Sequence, residues 1–146
     1  MAETGHAPAR IRALPSWLLG RAAARGHRLV GAALAVVGMR MTHHAVLTAV
    51  AEMGSLSQAE LGRSLGIDPK DMVAILDDLQ SDGLVTRTPD TMDRRKNVIA
   101  LSSGGKRRLL RTEELGREAN DELTAALTPE ERTQLVHLLT RIVEPR

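Results

Sequence analysis

A mainly α-helical fold with one small β-hairpin follows from three features of the 146-residue chain: two cap-bounded helices joined by a glycine turn, two β-branched runs after them, and an arginine-rich loop between those runs. All three fall between Ser55 and Gly105. In that order they are the parts of a winged helix-turn-helix, a layout suited to reading duplex DNA.

Residues 1–12 carry no sustained apolar pattern and are expected to form a disordered tail. Pro15 is well placed as the first residue of a helix running towards Gly38, with Leu18, Ala22, Leu29, Ala33 and Val36 on one stripe and Gly26 and Gly31 as points of bending. Thr42 is the expected cap of a second helix, whose Val46, Leu47, Val50 and Met53 keep helical spacing before Gly54 stops it. Ser57 and Glu60 have the S-x-x-E spacing in which each side chain satisfies the other residue's free backbone N–H, so a third helix starts there. Gly66 supplies a left-handed turn residue, Ile67 plugs the angle, and Asp68-Pro69 provides a cap followed by proline at the first position of a fourth helix. Met72, Ile75, Leu76 and Leu79 form its inward stripe, and Gly83 ends it.

Leu84 to Thr88 and Asn97 to Leu101 then read as the two strands of a hairpin. Ser102 caps a long polar helix through Leu109, Leu110, Leu115 and Leu123, and Thr128-Pro129 with Glu131 opens the last one, lined by Leu135, Leu138, Leu139 and Ile142. The expected organisation is a single domain over 13–146, with outer helices in 13–40 and 104–146 around a winged lobe in 42–103.

Charge points to the same region. The net formal charge is only +2, yet residues 84–111 carry eight basic side chains against Asp90 and Asp93, a local excess of +6. Such a block suits a phosphate-facing element, the alternative being a solvated loop. The hairpin loop holds three consecutive cations, Arg94, Arg95 and Lys96, fit to follow a phosphate backbone or dip into a narrow minor groove. The outward face of the fourth helix offers Pro69, Lys70, Asp71, Val73 and Ala74 to base edges. Ser57, Gln58 and Arg87 complete the expected DNA-binding set.

Composition excludes other classes. With no cysteine there is no disulfide framework, thiolate site or thiol switch, which suits a cytoplasmic protein. The most apolar run, Leu29 to Val37, is too short to span a bilayer, so no membrane association is expected. The five histidines, His6, His27, His43, His44 and His137, are scattered without an i, i+4 pair, so no metal site is expected. No enzymatic activity and no cofactor are expected either: there is no H-E-x-x-H, and Ser102 to Gly105 fails the phosphate-loop pattern because Lys106 is followed by Arg107.

The run from Leu61 to Gly105, with Asp93-Arg94-Arg95 and the L-S-S-G-G at Leu101 to Gly105, resembles the MarR family of bacterial transcriptional regulators. The flanking helices match that family's order over nearly the whole chain. The resemblance implies that Arg95 is the wing-tip arginine entering the minor groove and that Asp93 braces it. It also implies a homodimer in which the outer helices of both subunits interlock, with Leu14, Leu18, Leu135, Leu138, Leu139 and Ile142 in the interface. A further implication is a cleft for a small aromatic or anionic ligand, with Trp17, Arg21, Arg40, His43 and His44 as candidates; the alternative is that Trp17 packs in the dimer interface and the histidines are ordinary polar residues. One departure stands out. Where the family usually shows Ser or Thr, then Thr and Arg, and later an Asp-Arg pair, this helix has Lys70, Val73, Ala74 and Asp77-Asp78. The expected function is a homodimeric regulator of a pseudo-palindromic operator, most simply a repressor released by ligand. The other reading is a winged-helix module for protein interaction or non-specific nucleic-acid binding.

Overall fold

The computed structural model describes residues 7–54 and 56–144. Ser55 and residues 1–6, including His6, lie outside the described residues. In chain order the elements are α1 (Ala9–Arg12), α2 (Pro15–Ala35), α3 (Met41–Met53), β1 (Leu56–Ser57), α4 (Gln58–Leu65), α5 (Pro69–Ser81), β2 (Val85–Pro89), β3 (Asn97–Leu101), α6 (Ser103–Leu123) and α7 (Pro129–Val143). They fall into two compact units, one of residues 31–116 and one of the chain up to Val30 together with the chain from Arg117.

The unit 31–116, the lobe, has an apolar core. Val46, Leu47 and Val50 of α3, Leu61 of α4 and Met72, Ile75, Leu76 and Leu79 of α5 are buried, together with Leu84, Val85 and Ile99. Removing a side chain of this size from water stabilises the fold by about 1.5–3 kcal/mol. The sheet is antiparallel with the order β1-β3-β2, and β2 pairs with β3 from Val85 opposite Leu101 to Pro89 opposite Asn97. β1 was not expected. It is a two-residue strand, Leu56 opposite Ile99 and Ser57 opposite Val98, too short to leave a periodic trace in the sequence. Leu34, Leu109, Thr112 and Leu115 are also buried members of this unit.

The other unit is built differently. Pro15 opens α2, which continues through Gly26, where a Cβ would lie 3.3 Å from the Leu123 side chain, so the glycine allows close packing. The Arg25 guanidinium donates to the Leu123 carbonyl at 3.0 Å, and Arg132 pairs with Asp121. Thr128 and Glu131, expected to open α7, form a capping box there. Part of the expected disordered tail is a helical turn, α1, in which the Pro8 carbonyl accepts from the amides of Ile11 and Arg12. Leu14, Leu18, Leu138 and Ile142 are exposed, at 48, 49, 52 and 58%.

A second correction concerns α3. Its N-cap is Arg40, in extended conformation and without a side-chain cap, whereas Thr42 lies inside the helix and contacts the His43 ring. Thr42 is past the position from which a hydroxyl can reach back across the first free amides.

Candidate nucleic-acid interface

The helix-turn-helix is positioned by its punctuation. Ser57 Oγ accepts from the Glu60 amide and Glu60 Oε2 accepts from the Ser57 amide, both at 3.2 Å, which fixes the start of α4. At its end Gly66 takes φ +65°, a left-handed conformation that costs glycine little. The Ile67 amide turns back to the Gly62 carbonyl at 2.9 Å. Asp68 Oδ1 then accepts from the Lys70 amide at 2.8 Å, and Pro69 occupies the first turn of α5. With Met72, Ile75, Leu76 and Leu79 buried, Lys70, Asp71, Val73 and Ala74 are left on the exposed face.

The wing is organised by Asp93. The loop between β2 and β3 closes through the Asp90 amide on the Lys96 carbonyl at 2.8 Å and the Lys96 amide on the Asp93 carbonyl at 3.0 Å. Asp93 Oδ1 accepts from the Arg95 amide at 3.1 Å and from Arg95 Nε at 3.2 Å. These bonds, the side-chain one foremost, hold the Asp93 carboxyl below the usual carboxylate range. The Arg95 side chain is nevertheless 91% exposed, so it is aimed without being covered. Arg94 and Lys96 are exposed beside it.

Between the wing and the helix-turn-helix lies a groove of about 780 Å³, lined among others by Gln58, Arg63, Pro69, Arg95, Lys96 and Asn97. Arg63 and Asn97 were not anticipated. Helical spacing leaves Arg63 on the polar side of α4, but only the fold-back of the hairpin brings that side to the wing. Arg87, expected among the DNA-binding residues, is occupied elsewhere: its Nε donates to Gln80 Oε1 at 2.8 Å and its terminal nitrogen pairs with Asp77. Two acids of α5 that depart from the family pattern are therefore tied to neighbours, since Asp78 also meets His43 Nε2 at 3.0 Å.

The ligand candidates are divided between the units. In the unit formed by the chain ends, the Arg21 guanidinium stands 5.7 Å from the Trp17 ring centroid, within cation–π range. In the lobe, Arg40 is exposed, His43 is held by Asp78, and His44 Nδ1 is buried without a partner among the described residues. Burial lowers the His44 pKa, opposed by the charge of Glu113. Among the described residues no group of three His, Asp or Glu side chains is arranged for a metal, and no helix is long and apolar enough to cross a membrane.

Known proteins share this arrangement. The MarR family model matches residues 37–96, which contain the helix-turn-helix and the wing tip. A Thauera aromatica protein named for transcriptional regulation of the hcr operon is 27% identical over 99 residues, covering 68% of this chain and 60% of its own length. The chain thus spans less than two thirds of that relative. The HTH-type transcriptional repressor Rv2887 of Mycobacterium tuberculosis is 27% identical over 126 residues, covering 86% of this chain and 91% of the repressor. Among solved structures, a cysteine-to-serine mutant of MarR from Escherichia coli complexed with operator DNA superposes with a TM-score of 0.78 at 25% identity, covering 94% of this chain and 100% of that one. These relatives are transcriptional regulators rather than enzymes, and the mainly helical fold with its small antiparallel sheet is theirs. Over residues 37–96 the chain is therefore similar to the MarR family, and its fold is that of solved MarR transcriptional regulators.

Proposed function

We propose that the chain is a homodimeric, sequence-specific DNA-binding repressor whose hold on its operator is released by a small ligand. The observation that carries the DNA-binding part is the groove in which the N-terminus of α5 faces a braced, exposed Arg95. Lys70, Val73 and Ala74 enter the major groove, where the two apolar side chains suit thymine methyl groups. Arg94, Arg95, Lys96 and Arg63 meet phosphates and the minor groove, supplying most of the counterion release because α5 itself is acidic. Pairing of Asp77 with Arg87 reduces the repulsion that this acid would otherwise offer, and Asp78 is held to His43 by a hydrogen bond.

Dimerisation follows from the exposed Leu14, Leu18, Leu138 and Ile142, with Leu135 and Leu139 half-buried on the same helix as the last two. The ligand is a flat anion attracted to Trp17 and Arg21, with Trp17 fluorescence as its reporter. That Rv2887 is named a repressor, and that the Escherichia coli MarR mutant was crystallised with operator DNA, support the reading.

The deciding experiment is selection of binding sites from random duplexes. An inverted repeat is expected, with half-site centres about 34 Å apart and a preference over unrelated DNA of at least ~10³. Recovery of no common sequence, with equal affinity for every duplex, would instead favour a non-specific binding module.

A further inference from the structure

The start of α6 places its charges against the local rule. Its first turn carries no acid, while Lys106, Arg107, Arg108 and Arg111 follow within nine residues of Ser103. A helix N-terminus is electropositive over its first turn, so Lys106 is disfavoured there. Arg107 and Arg111 are also like charges four apart, and Arg108 and Arg111 three apart, both repulsive spacings on a helix. A run that breaks these preferences together is a candidate functional site.

Arg107, Arg108 and Arg111 line a pocket of about 420 Å³ together with Asp82, Gly83 and Leu84. That volume lies in the range of small-molecule sites. The pocket floor is backbone, because the first turn of α6 is pressed onto the turn that ends α5: a Cβ on Gly105 would overlap the Leu84 carbonyl oxygen, and one on Gly104 would come within 3.2 Å of the Gly83 carbonyl oxygen. Ser102 Oγ locks this contact by donating to the Gly83 carbonyl at 2.5 Å and accepting from the Gly105 amide at 2.9 Å. Two of the guanidinium groups are anchored and still keep free donors. Arg108 donates one nitrogen to the Val37 carbonyl at 2.9 Å, and Arg111 one to Glu114 at 3.1 Å. Among the described residues, no hydrogen-bond or ion-pair partner engages the Arg107 side chain. The one carboxylate in the lining, Asp82, does not balance three cations.

We propose that this pocket binds a small organic or inorganic anion bearing two or more carboxylate or phosphate oxygens, gripped by the planar forks of the three arginines. The site is separate from the DNA-facing groove. α5 has 13 residues, so its C-terminal end at the pocket lies roughly 18 Å along the helix from the base-reading end. Because Asp82 caps α5 and Gly83 follows it, an anion drawn in by the arginines bears directly on the seating of that helix. This regulatory half rests on the operator-reading function proposed above; the binding half does not.

The test titrates the full-length protein with sodium phosphate and, separately, with sodium citrate, each against sodium chloride at matched ionic strength. The amide signals of Gly83, Gly104 and Gly105 are followed by NMR. Saturable shifts with either anion, weakened at least tenfold in the Arg107→Ala/Arg111→Ala variant, are expected; the anion that saturates at the lower concentration identifies the oxyanion class. An Arg107→Gln variant, changed at an arginine without an internal partner, serves if the double variant does not fold. Shifts that merely track ionic strength, or saturation unaltered by the substitutions, would overturn the proposal. Operator affinity measured with and without saturating anion then tests regulation, and a change in the wild type that is absent from the variant is expected. A protein that binds the anion but no duplex would defeat the operator reading and leave the pocket standing.

Discussion

The lobe of residues 31–116 and the unit formed by the two ends of the chain use the same kind of amphipathic helix to different ends. In the lobe, the stripe of α5 is covered by its own chain, with Leu76 fully buried. In the other unit, α7 carries an equally regular stripe, yet Leu138 and Ile142 remain more than half exposed. Periodicity announces that a face wants covering; it does not say whether the cover comes from the same chain. The difference is that the lobe's stripe is buried within its own unit, whereas the stripe of α7 is left partly bare.

That contrast can be broken most severely at the lobe. Leu76→Ala should lower the free energy of unfolding by about 2–5 kcal/mol, read from urea denaturation, because it empties a closed core. A loss below ~1 kcal/mol would mean that the core is not what holds this unit. The complementary change, Leu138→Asp with Ile142→Asp, should leave the far-ultraviolet spectrum intact while weakening self-association roughly 100-fold in sedimentation equilibrium, equivalent to about 2.7 kcal/mol. A protein as dimeric as before would remove the exposed stripe from the interface.

Arg95→Ala should then cost about tenfold in affinity for specific and unrelated duplexes alike, and reduce the salt dependence by about one counterion. Equal slopes before and after would exclude Arg95 from phosphate contact. The smallest effect expected is on pH dependence. The Asp93 carboxyl is held below its ordinary range, so its contribution to wing stability is complete above the ordinary carboxylate pKa and is lost as pH falls through the depressed one. NMR shifts of the Arg95 amide should therefore hold steady at neutral pH and move only in acid. In Asp93→Asn that titration should disappear, since the asparagine side chain has no proton to gain in this range.

Much of this was readable before any coordinates. The capping boxes at Ser57 and Thr128, the Asp68-Pro69 start and the left-handed Gly66 are interactions within a few residues, so the residue types that satisfy them betray them. Thr42 misled because its type suits a cap while the helix begins one residue earlier, at Met41. β1, the placement of Arg63 and Asn97 beside the wing, and the capture of Arg87 by Asp77 and Gln80 left no such trace. Each depends on partners brought together by the fold rather than on spacing along one element.

Taken alone, the order of residues determined where most of the helices begin and end, which stripe of each is apolar, and that the basic charge collects in the wing and the start of α6. Those properties follow from backbone hydrogen bonding and side-chain period, both of which act over a few positions. The three-dimensional arrangement decided which acids are paired, which cations remain available and which apolar faces stay bare. Coulombic pairing and burial depend on distance through space, and that distance exists only once the chain has packed.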